Sequence, residues 1–287
     1  MYCVQCEQSN KGGCAAKVGS CGKTADVADL QDVLLRLVQG VSVYADRAAR
    51  RGAHDAAVDA FTPHAWFTTL TNVNFDAARF HGLIVEALAM RERARQLAEA
   101  AGADIDDLPE PATWNPGTSP SELAAAAPMA AIQRFMDRDG PSLVGLRNLI
   151  LYGLKGTAAY SEHARVLGQE ESAVTAEFHR IAAFLAADPA DMDALLAEAL
   201  AVGALNFEVM ALLDAANTGR FGHPEVTMVR MSPVRGKALL VSGHDLGDLE
   251  AILQQTAGTG IQVYTHGELL PANTYPGLKK FPHLAGN

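Results

Sequence analysis

Over most of the chain apolar positions recur at helical spacing, and only the last quarter changes period. In DVADLQDVLLRLVQGVSVYADRAARRG, Val27, Leu30, Val33, Leu34, Leu37, Val38, Val41 and Tyr44 fall on one stripe, which predicts a long amphipathic helix. A second helix is predicted from about Asp76 to Ala101. There Phe80, Leu83, Ile84, Ala87 and Met90 recur beneath a charged face of Arg91, Glu92, Arg93 and Arg95. The stretch DIDDLPEPATWNPGTSPSE carries four prolines and loses the period, so it reads as a connector between two helical bundles. Helical patterns return from Glu122 to about Gly219, with LVGLRNLILYGLKGTAAYSEHARVLG the most apolar of them. The Met, Leu and aromatic stripes of both bundles read as ordinary core rather than as cofactor boxes.

Near Pro224 the period shortens. KALLVSG is a β-like run, HDLGDLEAILQQTAG an amphipathic helix and GIQVYTHGE a second β-like run, together a β-α-β unit with parallel strands. VTMVRM is a candidate for an earlier strand. The fold class expected is therefore α followed by α/β: a helical domain over residues 1–224 and a parallel α/β domain over 225–287. A parallel sheet of two or three strands leaves edges unpaired and faces uncovered, so the α/β domain is expected to be incomplete, with a C-terminal part lacking.

Composition narrows the function classes. With 287 residues, 49% of them hydrophobic, the chain can bury one large core or two moderate ones and is expected to be soluble. A formal charge of −10 offers no basic stripe for phosphates, which argues against a nucleic-acid partner, and gives no long-range steering to small anions. No apolar run reaches the length of about 18–20 residues that a membrane helix needs, and MYCVQCEQSN lacks the basic and apolar regions of a signal peptide. A cytoplasmic protein without a membrane association is the expectation.

All four cysteines, Cys3, Cys6, Cys14 and Cys21, fall within the first 21 residues, spaced C-x2-C-x7-C-x6-C. A disulfide framework would not be confined to one corner of a large domain, and a reducing cytosol would not keep it oxidised. A C-x-x-C pair chelates from a tight turn, and glycines at 12, 13, 19 and 22 let the backbone wrap so that the other two thiolates converge. Four thiolates without a nearby histidine suit iron in an iron–sulfur cluster, or zinc; redox-active thiols are the third reading. Structural zinc more often uses two paired knuckles, so the spacing tilts towards iron–sulfur. CGKT ends like a phosphate-binding loop, but Lys17 stands where that motif needs glycine.

Ligands of open parallel sheets gather beyond the carboxyl ends of the strands. His244 follows KALLVSG and Glu268 closes GIQVYTHGE, so both belong to that edge, and imidazole with carboxylate can bind iron. His244 also reads as a residue near a helix N-cap, and Glu268 as a first-turn acid on a helix dipole. His266 is an equally good ligand on chemistry alone.

MYCVQCEQ with CGKTADVADLQD, then TLTNVNFD, LYGLKGTAAYSEHA, NTGRFGHPEVT and LLVSGHDLGDLEAILQQTAGTGIQVYTHGELLPANTYPGLKKFPHLAGN, resemble hybrid-cluster (prismane) proteins of the hydroxylamine reductase type over essentially the whole chain. The resemblance implies a helical domain of two three-helix bundles followed by the start of a Rossmann-like domain. It implies a cubane-type cluster on Cys3, Cys6, Cys14 and Cys21, and it makes His244 and Glu268 ligands of a second, hybrid iron–sulfur–oxygen cluster. That cluster's remaining ligands lie in a C-terminal region absent here. The short insert between Cys6 and Cys14 resembles members with a 4Fe–4S cluster, whereas the x6 that follows resembles those with 2Fe–2S; the total span favours 4Fe–4S. Also implied are a small nitrogen-oxide substrate, hydroxylamine or nitric oxide, and an NADH-dependent flavin and iron–sulfur reductase as electron donor. The rival readings are a non-catalytic electron-transfer or interaction module with one cluster, and a zinc-stabilised helical scaffold.

Overall fold

The protein is described by a computed structural model covering residues 2–8 and 12–287. Seven helices come first: α1 (Ala25–Ala49), α2 (Ala56–Thr68), α3 (Ala77–Ala100), α4 (Pro120–Ala130), α5 (Met136–Val166), α6 (Ser172–Ala186) and α7 (Met192–Phe221). Then follow β1 (Lys237–Ser242), α8 (Leu246–Thr256), β2 (Ile261–His266), α9 (Pro276–Lys279) and β3 (Leu284–Gly286). This is the helical-then-α/β architecture that the change of period predicts. The chain divides into two compact units, Met1–Glu162 with Glu171–Glu208 and His163–Glu170 with Val209–Asn287, and the divisions fall within α5 and α7.

In the first unit α1 is the central helix, packed by α2, α3, α4 and α6. Its apolar stripe is buried as expected, but so is much of its other face, including Gln31, Arg36, Gln39 and Asp46. Buried polar groups require partners, and Arg36 finds them far along the chain. Its Nη2 donates to Glu110 Oε2 at 2.7 Å and to Asp188 Oδ2 at 2.9 Å. At Gly40 the helix backbone lies so close to the turn at Glu110–Ala112 that a Cβ there would stand 2.1 Å from the Pro111 carbonyl oxygen.

α2 was not legible beforehand, because Pro63 interrupts it and its apolar residues follow no clean stripe. It is set by its cap, Asp55, whose carboxylate accepts from the Ala57 and Val58 N–H groups, and by Trp66, fully buried edge-on to Phe178 at 5.6 Å. α3 starts where the pattern placed it, and Asp76 accepts from the N–H groups of Ala78 and Arg79. Asp76→Ala is expected to lower unfolding stability by about 1 kcal/mol, the usual cost of a lost N-cap, as measured by urea melts. The proline-rich connector yields its last residues to α4, which a Ser119–Glu122 capping box starts at Pro120. α5 is kinked at Gly140, φ 77°, directly before Pro141.

The second unit holds a three-stranded parallel sheet in the order β1-β2-β3, with Phe221, Leu249, Leu253, Val263 and Leu278 in its core. VTMVRM is not a strand: Val226, Met228 and Met231 are exposed in an extended segment without ladder pairing, and the third strand is instead β3. Backbone hydrogen bonds from Glu225 N–H to the Thr274 carbonyl and from Asn287 N–H to the Arg230 carbonyl hold the segment, together with Lys279, which donates to Glu225 and Thr227. β1 is a terminal strand, exposed along nearly its whole length. The expectation that no segment is long and apolar enough for a membrane helix is corrected by α7, which is so by length and composition alone, with Glu198 and Glu208 within it. Leu195, Val202, Leu205 and Val209 of that helix are buried, while Leu200 and Phe207 are exposed.

Candidate functional site

The segment before α1 is built from two small backbone devices. Cys3 and Cys14 face each other as an antiparallel pair, with Cys3 N–H donating to the Cys14 carbonyl at 3.1 Å and Cys14 N–H to the Cys3 carbonyl at 2.8 Å. Residues 17–25 form a narrow loop, in which Ala25 N–H reaches the Lys17 carbonyl and Gly19 N–H the Lys23 carbonyl. The tip is a turn closed by Gly22 N–H on the Gly19 carbonyl, with Cys21 inside it. Gly22 has φ 91°, a conformation costly for other residues, so glycine is what allows Cys21 to be presented there.

These devices bring the four cysteines to one pocket, lined by Cys3, Cys6, Cys14, Gly19, Ser20, Cys21, Lys23 and Thr71. No disulfide joins them, and Cys21 is the most exposed. Thr71 donates to Gln5 Oε1 at 3.3 Å, which ties the C-x-x-C turn to the segment after α2. Among the described residues no three His, Cys, Asp or Glu side chains converge tightly enough to hold a single metal ion. The donor set is nonetheless four soft thiolates, which suits a polynuclear iron–sulfur group.

Beneath Cys3 lies a second recess, lined by Tyr2, Cys3, Gln5, Ala28, Gln31, Asp32, Ile132, Tyr152 and Lys155. Lys155 is 1% exposed and donates to the Thr69 carbonyl at 3.2 Å. Burial lowers its pKa below the ordinary lysine range and raises that of Asp32 above the carboxylate range, while the attraction between the two opposes both shifts. Burial also raises the Tyr152 hydroxyl. Lys23, 2% exposed, donates to Gln31 Oε1 at 2.7 Å. That bond fixes the amide, and Gln31 Nε2 is left without an acceptor among the described residues; the Tyr152 hydroxyl, whose oxygen the Val4 N–H approaches, likewise has no acceptor for its own hydrogen there. Buried donors without acceptors are uncommon and call for an explanation. None of Lys23, Gln31, Asp32, Thr71, Tyr152 or Lys155 stood out in the sequence. The available signal was a lysine in the most apolar helical run, LILYGLKG, and an aspartate within VADLQDVLL.

The other two candidate ligands lie in the second unit. Ser242 and His266 are in register on β1 and β2, and Ser242 Oγ lies 3.2 Å from His266 Nδ1. His244 and Glu268 each come two residues further on, at the carboxyl ends of adjacent parallel strands, and both are exposed. His244 precedes Asp245, which caps α8 by accepting from Asp248 N–H at 3.0 Å, and Glu268 lies in the first turn of the 3-10 segment Gly267–Thr274. The carboxyl ends of β1 and β2 thus carry two histidines, His244 and His266, and one carboxylate, Glu268.

A cysteine-lined pocket at the head of a helical unit and a parallel α/β unit mark the chain as a prismane-type fold, and comparison with known families agrees. The chain belongs to the Prismane/CO dehydrogenase family, whose model matches residues 1–287. It is 52% identical over 295 aligned residues to the hydroxylamine reductases of Burkholderia lata and Burkholderia ambifaria, and 50% identical to that of Acidithiobacillus ferrooxidans. In each case all of this chain is covered but only 53% of the relative, so the chain spans about half the length of the curated relatives it matches.

Proposed function

We propose that Cys3, Cys6, Cys14 and Cys21 hold a 4Fe–4S cluster and that the chain is the electron-relaying half of a hydroxylamine reductase-type oxidoreductase of the cytoplasm. The observation that carries this reading is the convergence of all four cysteines on one pocket from separate turns, in a chain of this family. Once bound, the cluster supplies one-electron transfer; the chain's own thiolates bind it, and the loop at Cys21 leaves one side close to solvent, where a reductase can approach. The electron donor proposed is an NADH-dependent flavin and iron–sulfur reductase.

His244 and Glu268 are the proposed contribution of this chain to a hybrid iron–sulfur–oxygen cluster, whose other ligands lie outside the half of the relatives that this chain spans. Two ligands do not satisfy iron coordination by themselves. Hydroxylamine reduction to ammonia and water takes up two electrons and two protons; nitric oxide is the alternative substrate. Neither nucleic acid nor membrane is a proposed partner.

A second reading, a non-catalytic electron-transfer or interaction module with one cluster, needs only the pocket that the four cysteines line. Metal and sulfide analysis with an absorption spectrum, on protein purified without oxygen, tests the reading. Iron with equimolar sulfide and brown colour are expected; zinc without visible absorbance would refute it. Hydroxylamine consumption by the same sample, with and without a C-terminal half supplied in trans, separates the enzyme from the module.

A further inference from the structure

We propose that Gln31, Asp32, Tyr152 and Lys155, the side chains beneath Cys3, set the reduction potential of the cluster held by the four cysteines. This rests on the assignment of those cysteines as cluster ligands. Three features of the recess carry the inference. First, Gln31 Nε2 and the Tyr152 hydroxyl are buried donors with no acceptor among the described residues, in a recess that Cys3 also lines. Sulfur of a thiolate-bound cluster is the acceptor such donors lack, and hydrogen bonds to cluster sulfur favour the reduced, more negative state. Second, the direction of Gln31 is enforced: Lys23 occupies its oxygen at 2.7 Å, so that the amide N–H groups are what remain for the recess. Third, Lys155 is buried and donates to the Thr69 carbonyl at 3.2 Å, and Asp32 shares the recess with it.

A purely structural role explains these residues poorly. An ammonium buried as fully as that of Lys155 costs more to desolvate than an apolar side chain of similar volume. Beside a cluster whose charge becomes more negative on reduction Lys155 and Asp32 have opposite effects. A positive charge lowers the energy of the added electron, and a negative charge raises it. The surroundings of a cluster, through charge, hydrogen bonds to sulfur and burial, are known levers on its potential. Here two donors and one cation act in one direction and Asp32 acts against them.

The test is a potentiometric titration of the anaerobically purified protein, followed by absorption and electron paramagnetic resonance, on the parent and on Lys155→Met, Tyr152→Phe and Asp32→Asn. Iron and sulfide content is measured in each. Lys155→Met and Tyr152→Phe are expected to move the midpoint to more negative values, with the larger shift for Lys155→Met, and Asp32→Asn to more positive values. Tyr152→Phe removes only an oxygen and keeps the ring in place, so it reads the sign even where Lys155→Met fails to fold. Unchanged midpoints in Lys155→Met and Tyr152→Phe at full cluster content would overturn the proposal, as would a shift of all three variants in the same direction, which general disturbance of the pocket produces. A parent protein without iron and sulfide would overturn the ligand assignment itself, a result that the metal analysis shows before any potential is measured.

Discussion

Cys21→Ser and Cys3→Ser are each expected to abolish the visible absorbance of anaerobically purified protein and to strip most of its iron. Cys21 sits at the tip of the 17–25 loop on the exposed side of the pocket, so a serine there leaves one iron open to water and oxygen. Cys3 is tied by two backbone hydrogen bonds to Cys14, and its loss removes the thiol that also lines the recess of the buried donors. In both variants helix content by circular dichroism should stay near that of the parent, because among the described residues no helix begins before Ala25. Full retention of iron in both variants would be incompatible with the cysteine assignment.

What the sequence revealed of this arrangement follows from which forces are local. The stripes of α1 and α3 and the β-α-β pattern depend on period and caps, and Asp76 and Asp245 cap the helices that the pattern had placed. The convergence of the cysteines on one pocket was foreshadowed by their spacing, because a turn with glycines is also a local object. α2 was hidden because Pro63 breaks its period and tertiary contacts through Trp66 decide it. VTMVRM looks like a strand because β-branched and apolar residues alternate there, yet it enters no strand ladder. The recess beneath Cys3 was equally hidden. Gln31 and Asp32 lie on α1 and Tyr152 and Lys155 on α5, more than 100 positions away, and only packing brings them together. His244 and Glu268 were placed at strand ends by pattern alone, and the register of β1 and β2 puts those ends side by side.

Gly40→Ala should be among the most destabilising single-methyl changes in the helical unit. A Cβ at that position would meet the Pro111 carbonyl oxygen at 2.1 Å and the Ala112 nitrogen at 3.2 Å, both backbone atoms that no rotamer change can move aside. Overpacking of a tight interior costs about 1–3 kcal/mol and occasionally more. Here the helix and the turn must separate, and that disturbs the Arg36–Glu110 pair, so the upper end or beyond is expected. Gly82→Ala is the matching control: it lies in α3 with nothing within 4 Å of its added Cβ, and helix propensity alone should make it stabilising by up to about 1 kcal/mol. Urea melts of the two variants should therefore shift in opposite directions. A Gly40→Ala midpoint equal to that of the parent would show that the turn at Glu110–Ala112 yields easily.

The partners of Arg36 also impose a timetable. Asp188 lies 152 residues after Arg36, and at the usual rate of about 5–20 residues per second a ribosome needs roughly 8–30 s to deliver it. During that interval α1 has emerged but lacks α6 and the second of the two acids that neutralise its buried guanidinium, so the helix most enclosed in the finished protein is among the longest exposed during its synthesis. The cysteine loop, attached directly to the start of α1, waits with it, and its thiols stand open to oxygen and stray metal before the wall contributed by α5 exists.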